Sequence, residues 1–80
     1  ELELQRLQSV TLEPSSVCVG RTLDDSLDPA GVGVTVVSVR RAQGAVMSPS
    51  PGLLLEAGDT LVLSGRPQDL ARAESVLLKG

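Results

Sequence analysis

The chain has 80 residues, a net charge of −3 and no Phe, Tyr, Trp or His. This length makes one small domain with a thin core, which Val and Leu must fill at roughly 1.5–3 kcal/mol per fully buried side chain. The acidic balance and the missing stacking platforms argue against a nucleic-acid partner, and the missing imidazoles exclude His-based catalysis and metal ligation.

The lone Cys18 forms neither an internal disulfide nor a zinc knuckle and reads as a small apolar filler rather than a nucleophile. No apolar run reaches the ~18 residues of a membrane span, and no signal peptide is legible. The chain opens on Glu1, part-way through an alternating pattern, which reads as a fragment excised from a larger protein. Residues 1–8 are taken as a leader or remnant of a preceding segment, and residues 9–80 as the domain.

In chain order, Ser9–Glu13 reads as a strand with Val10 and Leu12 on one face, ended by Pro14. Gly20–Leu27 reads as a short helix. Thr22 is its N-cap, Asp24 and Asp25 suit the dipole of its first turn, and Leu23 and Leu27 share a face. Asp28-Pro29-Ala30-Gly31 is a stop and turn. Gly33–Arg41 is the clearest strand, rich in Val and Thr. Simple alternation places Val34 and Val36 on one side and Val37 and Val39 on the other, so that each face needs a cover.

Ala42-Gln43-Gly44 is a tight turn, and Ala45–Met47 returns as the second arm of a hairpin, with Met47 filling a gap in the core. Ser48–Gly52 is irregular. Ala57-Gly58-Asp59 is a turn in which Gly58 supplies positive φ. Thr60–Gly65 is a strand. Pro67 opens the last helix, with Asp69 in its first turn, Lys79 in its last and Leu70, Ala73 and Leu77 on one stripe beside Val76; Gly80 is the stop.

The resulting order is β-α-β-β-β-α. It specifies an α+β domain with one sheet and its helices on one face. Two helices cover only one side of the sheet, so a homodimer is expected, with Val34, Val36, Val37 and Val39 as interface candidates.

Gly31-x-Gly33 precedes a strand instead of joining a strand to a helix, so it is no dinucleotide fingerprint. Asp24, Asp25 and Asp28 read as solvated dipole partners rather than a cation site. Arg40 and Arg41 adjoin in one strand and face opposite ways; they serve ion pairs, or one of them contacts an anion. No acid, base and nucleophile assemble, so no enzyme, cofactor or metal is expected.

Val19-Gly20-Arg21-Thr22-Leu23 resembles the V-G-K-T-L opening of the C-terminal domain of regulators of potassium conductance, the TrkA-C domain. Gly33–Arg41 is similar to that family's G-V-x-V-V-x-V-x-R strand. Ser48-Pro49, followed by Leu55-x-x-Gly58-Asp59-x-Leu61-Val62-Leu63-x-Gly65, is similar to its P-x-P and G-D-x-L stretch. The stretch from Leu70 to Gly80 looks most like the soluble tails of proton-coupled potassium antiporters of the glutathione-regulated efflux type.

The resemblance implies a bacterial regulatory domain at the cytoplasmic face of the membrane. It implies a domain that pairs with itself and biases a potassium or other monovalent-cation antiporter or channel, in concert with the transporter or nucleotide-binding domain of the same parent protein. The alternative is a pure dimerisation module without a ligand. Some members bind cyclic di-adenosine monophosphate between two copies. Carried onto this chain, their contacts fall on Pro29, Ala30, Thr35, Val36 and Pro49, with Arg40 or Arg41 nearby; such members carry a basic residue where this chain has Pro29.

Overall fold

A computed structural model of the chain describes residues 5–27 and 33–79. Its elements are β1 (Arg6–Thr11), α1 (Leu23–Leu27), β2 (Val34–Arg40), β3 (Val46–Met47), β4 (Thr60–Gly65) and α2 (Pro67–Leu77). The order is the β-α-β-β-β-α expected from sequence. The strands form one antiparallel sheet in the order β1-β4-β2-β3.

β4 is the sheet's spine because its alternation is clean. Leu61 and Leu63 are fully buried, while Thr60, Val62 and Ser64 take the opposite face and are half-buried. β1 pairs with it from Arg6↔Gly65 to Thr11↔Thr60. The strand thus begins at Arg6, within the stretch read as a leader, since β4 runs long enough to give Arg6 a partner.

α2 lies across β1, β4 and β2 and also touches α1. Pro67 stands at its start, where no intrahelical donor is lost. Leu70, Ala73 and Leu77 enter the core beside Leu61 and Leu63. The helix ends at Leu77, so Lys79 lies beyond the last turn instead of within it, and its carbonyl accepts the Val17 N–H at 2.9 Å. Cys18 is 1% exposed within the aliphatic core, as a filler should be.

Simple alternation fails in β2. The register on β4 shifts between Val36↔Leu63 and Ser38↔Val62, leaving Val37 as an extra residue. This bulge resets the phase. Val34, Val36 and Val39 all pack into the one core cluster, with Val39 0% exposed, while Val37 is 48% exposed. The expectation that Val37 and Val39 share a face is therefore corrected. Val39 is enclosed by its own chain and offers nothing to a partner.

The far end of β2 is pinned by a buried ion pair. Arg41 Nη1 donates to Asp59 Oδ2 at 2.7 Å and Nη2 donates to the Leu54 carbonyl at 3.2 Å. Asp59 Oδ2 also accepts the Glu56 N–H at 2.9 Å. Asp59 is 0% exposed and Arg41 9% exposed. Gly58 has φ 87°, and a Cβ there would meet the Ala42 Cβ at 2.8 Å. The β2–β3 turn and the turn entering β4 are thus locked together, one by charge and the other by close approach.

Asp59→Ala removes the buried carboxylate and leaves the Arg41 guanidinium only the exposed Glu56 carboxylate at 3.6 Å, which should cost ~3–5 kcal/mol of stability in a urea melt. The double variant Arg41→Met/Asp59→Ala should lose less than the sum of the two single changes. Strict additivity would show that the pair is not coupled.

Candidate functional site

The bulge and the short β3 leave a groove on one side of the domain. It has a volume of about 370 Å³ and is lined by Leu23, Asp24 and Leu27 of α1, Thr35 and Val36 of β2, and Pro49 and Pro51 of the connection from β3 to β4.

Each wall follows from local chemistry. The Thr22 hydroxyl accepts the Asp25 N–H at 3.2 Å and so caps α1. The Leu23 N–H donates to the Leu53 carbonyl at 2.8 Å and the Asp24 N–H to the Pro51 carbonyl at 3.1 Å, which fastens α1 to the Pro-rich segment. That segment has no regular structure because its two prolines, Pro49 and Pro51, give it no ladder donors.

The edge of β2 forms the remaining wall. β3 pairs only Val39↔Met47 and Arg40↔Val46, and the Arg41 N–H closes the hairpin on the Ala45 carbonyl at 2.7 Å. The Leu12 N–H bonds to the Asp59 carbonyl, and the pairing alternates from there. Thr60, Val62 and Ser64 therefore turn their backbone groups toward β2, and Thr35 answers Ser64. By the same alternation the N–H and C=O of Val34 and Val36 point away from β4, along the half of the β2 edge that β3 does not cover.

Thr35, Val36 and Pro49, expected as ligand contacts, do meet in this groove. Ala30 and Pro29 lie outside the described residues. Arg40 is exposed near the other end of β2, and neither it nor Arg41 lines the groove. Arg41 faces inward to Asp59, so the reading of Arg41 as an anion contact gives way to that of a structural ion pair. The charged side chain that does line the groove is Asp24, which sequence reasoning treated only as a dipole partner. Leu27, expected to share a face with Leu23, is half-buried against the core and also lines the groove. The i, i+4 spacing of Leu23 and Leu27 marks one face of α1 without saying where the core stops.

A second cavity, of about 290 Å³, lies behind α1 between Val17, Cys18, Arg21, Asp25, Ser26, Val76 and Lys79. Cys18 Sγ lies 3.8 Å from the Val76 carbonyl there, and the Ser16 hydroxyl donates to the Leu77 carbonyl at 2.7 Å. These contacts tie the loop after β1 to the end of α2. Among the described residues no helix is long and apolar enough to cross a membrane.

No curated protein matches the chain. The sequence model of the TrkA-C domain matches residues 7–78, a span that runs from within β1 past the end of α2 and takes in the whole groove. The four-stranded antiparallel sheet with two helices agrees with that match. The chain belongs to the TrkA-C domain family, whose members are regulatory domains of potassium-transport systems.

Proposed function

We propose that this domain regulates a potassium or other monovalent-cation transporter by pairing with a second copy of itself through the groove between α1 and β2. The observation that carries the reading is the groove's composition. Leu23, Leu27, Val36, Pro49 and Pro51 make it largely apolar, and it borders a half-edge of β2 that no strand covers among the described residues. An apolar lining beside strand-edge donors and acceptors that are unpaired among the described residues can meet its own copy across a two-fold axis. Val34, Val36 and Val37 are the strand residues placed to meet the partner. Pairing of two copies then ties two parent chains together, and a change in that pairing is what the transporter reads. A parent of the proton-coupled potassium antiporter type fits this role, with the domain on the cytoplasmic side of a bacterial membrane.

A second reading is a small-ligand sensor at the same place. Its support is size, because about 370 Å³ falls within the range of ligand pockets. The lining disfavours a nucleotide, since a phosphate would face the Asp24 carboxylate with neither Arg40 nor Arg41 in the lining to offset it.

Two measurements check these readings. Sedimentation at high micromolar concentration should give a dimer for the unmodified chain and a monomer for Pro49→Glu, which sets a second carboxylate beside Asp24. Val46→Asp, on an exposed residue outside the groove lining, should remain a dimer. A strictly monomeric unmodified chain contradicts the pairing. A thermal-shift screen of monovalent cations and adenine nucleotides should leave melting unchanged if the domain only assembles. A ligand at a hundred times its Kd adds ~2.7 kcal/mol, and amide shifts confined to residues 33–36, 48 and 50 would then establish the sensor.

A further inference from the structure

We infer that β1 is a second self-association edge, pairing antiparallel with β1 of another copy about a two-fold axis at Ser9. β1 is terminal in β1-β4-β2-β3, so one side of it has no neighbouring strand among the described residues. Leu12 directs its backbone toward β4, its N–H reaching the Asp59 carbonyl at 2.8 Å and its carbonyl accepting the Gly58 N–H at 2.8 Å. Alternation then turns Arg6, Gln8 and Val10 the same way, and turns the N–H and C=O of Leu7, Ser9 and Thr11 outward to the open edge.

Three devices that commonly blunt an edge, a proline, a lysine and a bulge, are missing from this one. Arg6–Thr11 contains no Pro and no Lys, and its register on β4 is unbroken by a bulge. Leu7 is 69% exposed.

One register satisfies the outward groups and keeps the two faces of the sheet continuous. It sets Leu7 against Thr11 of the second copy, Ser9 against Ser9 and Thr11 against Leu7, each pair exchanging its N–H···O bonds. Gln8 then faces Val10 of the second copy on the core side. Arg6, the charged residue of the strand, falls opposite Leu12, and the two Arg6 residues stand about 20 Å apart at ~3.4 Å per residue, beyond the screening length at physiological salt. The strand is thus complementary to itself in hydrogen-bond phase, in face and in charge, and this selects a second copy as the occupant. The edge lies on the opposite side of the sheet from the groove, so the two contacts are separable.

Amide hydrogen exchange reads this directly. Protection of Leu7, Ser9 and Thr11 should rise by roughly tenfold or more from micromolar to millimolar protein, while Gln8, Val10 and Leu12 stay protected throughout. Leu7→Lys/Thr11→Lys places like charges opposite each other and should abolish the concentration-dependent protection. Leu7→Lys/Thr11→Glu should restore it. Pro49→Glu, which removes only the groove contact and is a monomer at high micromolar concentration, should still gain this protection at millimolar concentration. Two results would overturn the inference: free exchange of Leu7, Ser9 and Thr11 at every concentration, or protection that persists in a sample sedimenting as a monomer. Identical behaviour of the two charge variants would exclude the register.

Discussion

The arrangement of this domain depends on one irregularity, the extra residue at Val37 in β2. A core without aromatic residues needs every aliphatic side chain it can recruit, and strict alternation would turn Val39 out of it. The bulge returns Val39 to the core beside Leu61 and Leu63 and puts Val37 outside. Bulges also increase local twist and redirect a strand. Here the strand on one side of the bulge joins the β2–β3 hairpin, while on the other side it borders the groove.

The buried Arg41–Asp59 pair holds the hairpin end of that strand. A pair of this kind gives little net stability over an apolar replacement, but breaking it is costly, so its role is to fix geometry. Asp59 receives the Arg41 Nη1 and the Glu56 N–H on one oxygen, while Gly58 lets the chain pass against Ala42. The Gly-Asp motif is therefore a clamp between two turns, which explains why its two residues act together. At the other end of β2, Gly33 has φ 103° and a Cβ on it would collide with Asp69 in the first turn of α2. Gly65 packs against the Gly33 carbonyl just as tightly. Both ends of the strand are held by glycines that approach a neighbour too closely for a side chain, the Ala42 methyl at one end and a carboxylate and a backbone carbonyl at the other.

Much of this was legible in the sequence. Thr60–Gly65 alternates cleanly and forms β4 over those residues; Pro67 begins α2, and Thr22 caps α1 through its hydroxyl. The turn glycines Gly44 and Gly58 have positive φ. The bulge was not legible, because a run such as Val34–Val39 has apolar residues in both phases and gives no sign of where the phase slips. The choice between ion pair and anion contact for Arg41 was not legible for a similar reason: its partner Asp59 lies 18 residues on, and pairing at that distance leaves no trace in local spacing. The groove residues Thr35, Val36 and Pro49 were reached through family resemblance, while Asp24 and Leu27 needed the fold to bring α1 against the Pro-rich segment.

The central claim is that the groove is where two copies meet. Isotope-filtered NOE spectroscopy on an equal mixture of labelled and unlabelled chains tests it most directly. The account predicts intermolecular contacts from the Val36 methyl groups to Leu27 and Pro49 of the other copy. A sample whose relaxation shows a dimer, yet whose Val36 methyl groups give only contacts within their own chain, would contradict it.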